Sequence, residues 1–278
     1  MRFARLTRLL VAAQLAWLVQ LPVFALELDG EPVQGGLLFG AAEPGSRVFL
    51  DDTEVMVSAD GRFVIGFDRD DTGQRRLRVV APGGAEQSQA LEIAAREYDI
   101  ERVDGLPPQT VTPDPEALER IRQEAALVAS ARARRDPRTD YAAGFAWPAA
   151  GRISGVYGSQ RILNGEPRRP HYGLDIAAPT GSPVYAPADG VVTLVHPDMY
   201  FSGGTIVLDH GHGLSSSFLH LSRTLVEAGD VVRQGDLIAE IGATGRASGP
   251  HLDWRMNWLD RRVDPQLLVE AEPLPAAE

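Results

Sequence analysis

The chain has 278 residues, enough for one large domain or two of modest size. Its 27 basic residues against 38 acidic residues give a formal net charge of −11, and every basic residue is an arginine. Such an acidic balance does not suit the phosphates of nucleic acid, which is therefore excluded as the main partner. The chain has no cysteine, which excludes disulfides, thiolate metal sites and cysteine nucleophiles. Any metal must therefore be bound by His, Asp or Glu.

Residues 1–25 predict a signal peptide. Three arginines lie within the first eight residues, an apolar run covers 9–19, and small residues precede a cleavage position after Ala25. The alternative is an uncleaved N-terminal anchor. No later stretch is apolar enough to cross a membrane. We therefore expect an exported protein of the periplasm or cell envelope, with no transmembrane domain after signal cleavage.

Residues 26–98 predict a small β-sandwich-like domain. Alternating runs such as Arg47–Leu50 and Arg62–Phe67 are separated by glycine- and proline-containing turns. Residues 99–144 predict a proline-rich linker followed by an amphipathic helix over 115–134, with Asp114 as its N-cap.

Residues 145–270 predict a second, all-β domain, with 271–278 as a flexible tail. Short strands separated by glycine turns are expected at 152–157, 191–195, 205–208, 216–221, 236–241 and 251–256. All six histidines of the chain fall between positions 171 and 251. His210 and His212, which flank Gly211, are predicted to be turn residues that bind no metal.

Three segments of this second domain carry a candidate metal site. His171 and Asp175 are four residues apart, and His251 and Asp253 are two apart, so each pair lies on one face of a strand. His220 lies in a third segment. A catalytic zinc ion takes three protein ligands of this kind and keeps one position open for water. The joint pattern therefore indicates metal chemistry more strongly than any single histidine does.

The motifs around these residues point to one family. They run in chain order as Ser154–Ser159, His171–Pro179, Ser217–Ser222, and Gly242–Arg246 continuing to Gly249–Leu252. Residues 147–265 thereby resemble the lysostaphin/LytM-type zinc metallopeptidases, which cut peptide crosslinks in bacterial peptidoglycan. The resemblance implies a mainly β protein whose C-terminal LytM-type β domain is related to barrel-sandwich hybrids. Peptidoglycan stem peptides are the substrates it implies.

The resemblance also implies a role for each polar residue of the site. His171 and Asp175 are the first two ligands of one Zn²⁺ ion, and His220 and His251 are catalytic residues that flank the reacting water. The third ligand of the family is a histidine, where this chain has Asp253. An aspartate oxygen can bind zinc, but a second carboxylate makes the site less positive and so a weaker activator of water. We therefore expect either a working metal site at His171, Asp175 and Asp253 that is weaker or holds a different metal, or a site that has lost its metal.

Three further residues are candidates for substrate binding. Arg161 precedes the first motif histidine and would pair with a carboxylate of a stem peptide. Tyr200 and Phe201 lie in a glycine-rich loop and are expected to form a wall of the groove.

Two other functions compete with the peptidase. Asp253 also suits a catalytically impaired LytM-like factor that binds peptidoglycan, activates a cell-wall amidase or acts with a divisome partner. A biotinyl- or lipoyl-type carrier has a similar pattern of short strands and glycine turns, but the chain has no lysine to carry the cofactor.

Overall fold

The computed structural model describes residues 26–103, 115–163 and 165–269. The predicted signal peptide, most of the proline-rich segment and the predicted tail lie outside these ranges. Within them, no helix is both long enough and apolar enough to cross a membrane.

The protein is mainly β, as predicted, with a single α-helix among the described residues. Helix α1 covers Pro115–Arg132 and ends two residues before its predicted end, and two 3₁₀ turns lie at Asp140–Ala143 and Pro265–Leu268. The strands, numbered β1 to β20 in chain order, are Glu27–Asp29, Leu37–Ala41, Arg47–Leu50, Thr53–Val55, Arg62–Gly66, Gly73–Val80, Glu86–Ile93, Ile100–Val103, Arg152–Gly155, Gln160–Leu163, Glu166–Pro167, Leu174–Ala177, Pro183–Tyr185, Gly190–Met199, Gly203–Gly211, Leu214–Thr224, Val231–Val232, Leu237–Ile241, His251–Trp258 and Arg261–Val263.

The first seven strands form two antiparallel sheets. One has the order β1-β2-β5 and the other the order β4-β3-β6-β7. Leu38, Phe63 and Ile65 of the first sheet join Leu50 and Leu77 of the second in one buried cluster. Burying the apolar face of each sheet against the other gives the sandwich-like arrangement that the alternating runs predict.

A ten-stranded sheet dominates the rest of the chain. Its main path is β17-β14-β15-β16-β19-β12-β9, and β13, β18 and β20 pair beside it. One face of this sheet is apolar and buried, as strand β19 shows: Leu252, Trp254 and Met256 are all fully buried on that face. Since side chains alternate along a strand, Asp253 and Arg255 lie on the other face. This second face is where the polar residues of the candidate site collect.

The sandwich and the large sheet share one hydrophobic core rather than meeting through a thin contact. A Cβ atom added to Gly66 in β5 would come within 3.0 Å of Trp258 and 3.1 Å of Val263. Arg261 donates a hydrogen bond to the Gly66 carbonyl oxygen at 2.7 Å. The buried Asp264 carboxylate pairs with Arg96 at 2.8 Å. The N-terminal sheets therefore support the strands that carry the site.

His210 is a strand residue, so its prediction as a turn residue is wrong, whereas His212 does lie in the turn between β15 and β16. His210 is fully buried in β15. Its Nδ1 lies 2.7 Å from the Asp189 carbonyl oxygen, and its Nε2 lies 2.8 Å from Ser216 Oγ. Burial lowers the pKa of His210 to about 4.

This buried imidazole predicts a loss of stability in mild acid. The unfolded chain takes up a proton at His210 near pH 6.5, while the folded protein does so only near pH 4. The free energy of unfolding therefore holds its full value with respect to His210 above pH 6.5, and it falls by about 3 kcal/mol as the pH drops to 4. The free energy of unfolding can be measured with denaturant between pH 4 and pH 6.5 for the native protein and for His210→Asn. The native protein should lose about 3 kcal/mol more than the variant over this range. His196→Asn, at a partly exposed histidine of β14, is the control. An equal loss in His210→Asn would contradict the assignment.

Candidate metal centre

The antiparallel register of β12 and β19 brings two carboxylates together. Asp175 lies directly opposite Asp253, and Ala177 lies opposite His251. On the far side of β19, Leu219 of β16 lies opposite Asp253. Because directly opposed residues point to the same face of a sheet, the pairing places both carboxylates on the polar face.

His171 completes the set from the loop before β12. Its backbone N–H donates to the Ser159 carbonyl oxygen at 2.8 Å, and its own carbonyl oxygen accepts from Gly158 at 2.8 Å. These bonds fix the loop so that the imidazole reaches the two carboxylates. One potential ligand atom each from His171, Asp175 and Asp253 lies within 4.8 Å of the others.

The atoms of this group suit a metal ion. His171 Nε2 and Asp175 Oδ1 are 3.1 Å apart. Both atoms are buried, and neither has a hydrogen-bond partner among the described residues. Buried polar atoms are rarely left without a partner, and a bound cation would satisfy both. One imidazole nitrogen and two carboxylate oxygens are a donor set that Zn²⁺ accepts.

Two glycines make room for the carboxylates. A Cβ atom on Gly155 would lie 2.3 Å from Asp175 Oδ2, and one on Gly173 would lie 2.1 Å from Asp253 Oδ1. Both distances are far below van der Waals contact. Any side chain at either position would push a carboxylate out of the group, which explains a glycine in each motif.

His220 and His251 form a second layer beside the carboxylates. Their ring centroids are 4.7 Å apart, and His251 Nε2 lies 3.8 Å from Asp175 Oδ1. Nδ1 of His220 lies 2.8 Å from the Thr244 carbonyl oxygen, and Nδ1 of His251 lies 2.8 Å from that of Gly249. A carbonyl oxygen can only accept, so both Nδ1 atoms carry a proton, and in the neutral form of each ring the free lone pair is on Nε2.

The backbone at His220 explains how this side chain reaches the site. Simple alternation along β16 would place His220 on the same face as the buried Phe218. Instead, Phe218 and Leu221 are both buried in the core, with two residues between them. His220 has a φ of 64°, in the left-handed region, and the pairing of β16 with its neighbours shifts register here. This bulge turns the imidazole to the polar face.

Arg255 is a site residue that the sequence reasoning missed. Its Nε lies 2.9 and 3.0 Å from the two Asp253 oxygens, and its Nη2 lies 2.5 Å from Oδ2. The Asp253 side chain is 3% exposed, so this ion pair is largely shielded from water. The available signal was an arginine two residues after Asp253 in the same strand, which alternation places on the same face.

The charges around the site determine its protonation. Burial opposes the charge on Asp253, but the Arg255 guanidinium outweighs that effect and lowers the pKa of the carboxyl. Burial also disfavours a proton on His171, yet the nearby Asp175 and Asp253 carboxylates raise the pKa of this imidazole. The pKa of His220 is lowered, chiefly by burial. His220 is therefore a neutral imidazole at neutral pH.

The candidate substrate-binding residues lie in different places. Phe201 lines a cavity of about 710 Å³ that also reaches His220. Tyr200 packs edge-on against Phe201 and donates its backbone N–H to Glu124 of α1 at 2.8 Å. Tyr200 is not among the residues that line this cavity. Arg161 lies in β10 with its backbone paired to Glu101, and its side chain lies outside the described part of the structure.

Comparison with known proteins identifies the family to which this chain belongs. The model of peptidase family M23 matches residues 169–265. A solved chain from Pseudomonas aeruginosa named as a peptidase M23 is 31% identical, with a TM-score of 0.67 over 85% of this chain and 94% of that one. The protein therefore belongs to peptidase family M23.

Curated relatives are similar to part of the chain. The peptidoglycan DD-endopeptidase ShyB of Vibrio cholerae is 42% identical over 95 residues, which cover 34% of this chain and 22% of the relative. The cell division protein DipM of Caulobacter vibrioides is 32% identical over 131 residues, which cover 45% of this chain and 21% of the relative. The matched region thus spans only a small part of the curated relatives' length.

The ion pair between Arg255 and Asp253 predicts a link between metal binding and stability. In Arg255→Gln, the buried Asp253 carboxylate loses its partner, which costs about 3 kcal/mol of unfolding free energy without metal. Added zinc should recover part of this loss, because the cation takes the place of the guanidinium. Melting temperatures with and without zinc should therefore differ more in the variant than in the native protein. Arg223→Gln breaks the more exposed pair with Glu240 and is the matched control. A smaller zinc-induced rise in Arg255→Gln would contradict the assignment.

Proposed function

We propose that the protein is an exported zinc metallopeptidase that hydrolyses peptide crosslinks of bacterial peptidoglycan. The observation that supports this most directly is the convergence of His171, Asp175 and Asp253 within 4.8 Å beside two imidazoles. Membership of family M23 and the likeness to a peptidoglycan endopeptidase support peptidoglycan as the substrate class. The predicted signal peptide and a peptidoglycan substrate together imply the periplasm or cell envelope.

His171, Asp175 and Asp253 are the residues that would hold one zinc ion. When bound, zinc supplies Lewis acidity, which polarises the scissile carbonyl and makes a water molecule more acidic. The histidines supply the proton transfers. Nε2 of His220 or His251 is free to accept the proton of the attacking water and to deliver it to the leaving amine. The ring that takes up this proton then has an N–H at Nε2, which stabilises negative charge on the substrate oxygen until the proton passes to the amine.

Arg255 changes the expectation of a weakened site. With a histidine as third ligand, the family's set leaves a single net positive charge around Zn²⁺, and replacing it by aspartate removes that charge. The guanidinium of Arg255 hydrogen-bonds the replacing carboxylate and restores the positive charge. We therefore propose that Asp253 replaces the family histidine as the third ligand, while Arg255 compensates the added negative charge. On this proposal the site is catalytically competent.

The second candidate function is a non-catalytic cell-wall factor that binds peptidoglycan or activates an amidase. One observation favours it: both oxygens of Asp253 already accept hydrogen bonds from Arg255, so a cation must share this carboxylate. The likeness to a cell division protein is in keeping with a divisome partner. Zinc content separates the two functions, since the factor does not need the ion.

Single substitutions should separate the ligands from the proton-transfer residues. We expect one zinc per chain in the native protein, and loss of both zinc and crosslink cleavage in His171→Ala. His220→Ala should keep its zinc while turnover falls by about 10²- to 10⁴-fold. Chelation should abolish native turnover, and added zinc should restore it. His196→Ala, at a histidine outside the site, should leave both properties unchanged. Native turnover that survives complete removal of zinc would overturn the proposal.

Restoring the family histidine tests the role assigned to Arg255. In Asp253→His, the guanidinium loses its carboxylate and lies next to the metal, so zinc affinity and turnover should fall by about tenfold or more. The double variant Asp253→His/Arg255→Gln removes that charge and should recover most of the loss. Zinc titration and crosslink cleavage on the native protein and both variants give the answer. An Asp253→His variant more active than the native protein would show instead that Asp253 weakens the site, and no cleavage in any of the three would favour the cell-wall factor.

A further inference from the structure

The cavity beside the metal centre has an unusual distribution of charge. Helix α1 forms one wall, β15 and β16 contribute to another, and His220 opens onto it. Six arginines line it, at positions 132, 135, 169, 246, 255 and 262, against only two acidic residues, Glu124 and Asp260. A chain with a net charge of −11 thus collects positive charge at this one place. Such a concentration of one sign of charge in a cleft attracts ligands of the opposite sign.

Five of these six arginines form no ion pair within the described part of the chain, and three of the five lie close enough together for their charges to interact. Arg132, Arg169 and Arg262, which we call the arginine cluster, have no carboxylate oxygen within 4.0 Å in the described part of the chain. Arg255, by contrast, is neutralised by Asp253. The arginine cluster is therefore free to bind a ligand.

The cluster is held in place by contacts that leave donors available. Arg132 donates from Nη2 to Ser217 Oγ at 2.7 Å, and its buried Nε has no partner among the described residues. The guanidinium carbons of Arg169 and Arg262 lie 5.5 and 5.6 Å from the centroid of the Tyr172 ring. Such cation–π contacts orient a guanidinium without using its N–H groups.

The electrostatics of Arg132 favour the binding of an anion at this place. Burial and the positive charges of Arg262, Arg255 and Arg169 lower the pKa of Arg132 to about 9. Gathering like charges in a partly buried place is unfavourable unless an anion compensates them.

We propose that the arginine cluster binds a free carboxylate of the substrate peptide and so selects stem peptides that carry one near the scissile bond. The planar guanidinium is suited to a carboxylate, which it binds through two parallel hydrogen bonds. The anion belongs to the substrate because the cavity that holds the cluster also contains His220, a proton-transfer residue. This inference rests on the proposed function and adds a specificity to it. It also gives α1 a role, since Arg132 is the last residue of that helix.

Direct binding of uncrosslinked stem peptides tests the inference without relying on turnover. Calorimetric titration of the full-length protein would compare a tetrapeptide stem that has free carboxylates with the same peptide after amidation of those carboxylates. We expect amidation to raise the Kd of the native protein by about tenfold or more. Arg169→Gln/Arg262→Gln should bind the free peptide about as weakly as the amidated one. Arg233→Gln, at an exposed arginine outside the cavity, should keep the native preference.

Each other outcome overturns the inference. Equal Kd values for the two peptides in the native protein would do so, as would a preference that persists in the double variant with an unchanged melting temperature. Inorganic phosphate is a further probe: if it binds through the same arginines while the peptides are not distinguished, the site takes a free anion and not the substrate.

Cleavage assays on crosslinked peptidoglycan separate the two proposals. Cleavage without a carboxylate preference refutes only carboxylate binding by the arginine cluster. A carboxylate preference without cleavage refutes only the peptidase activity.

Discussion

Two carboxyl groups, those of Asp175 and Asp253, face each other across neighbouring strands, and the need for positive charge beside them is the constraint that shapes this site. Positive charge must hold them together. His171 approaches Asp175, and Arg255 takes both oxygens of Asp253. A divalent cation among the three ligand atoms would complete the balance. The glycines at 155 and 173, the loop that carries His171 and the buried pair with Arg255 all serve this one arrangement.

The scaffold supplies the rigidity that such an arrangement needs. The ligands lie on or next to β12 and β19, which are paired strands inside the large sheet, and the opposite face of β19 is a fully buried row of apolar side chains. The N-terminal sheets pack against the end of this strand, where Gly66 lies next to Trp258. A metal site tolerates little movement of its ligands, and side chains on packed strands are held more firmly than side chains on loops.

Much of this followed from the sequence, because period-two alternation and the order of motifs are local signals. The mainly β fold, the helix near 115–134 and the strand at Arg47–Leu50 are confirmed, and His251 and Asp253 do lie on one face of a strand. The prediction that His171 and Asp175 share a strand is wrong, because His171 lies in the loop before β12. Other features depend on tertiary structure. The bulge at His220 breaks the alternation, the register between β12 and β19 sets Asp253 against Asp175, and His210 is buried against Phe145, which precedes the large sheet in the chain. Arg255 could have been found from its spacing alone.

The core shared by the two parts of the chain has a consequence for how the family-matched region behaves when separated from the rest. Residues 169–265 contain all the proposed ligands, yet Trp258 and Val263 are covered by β5, and Asp264 is neutralised by Arg96 from outside that region. Excision would expose the apolar surface of Trp258 and Val263 that β5 covers and leave the Asp264 carboxylate without its counterion. The fragment would then be prone to self-association, because the N-terminal sheets no longer cover these strands.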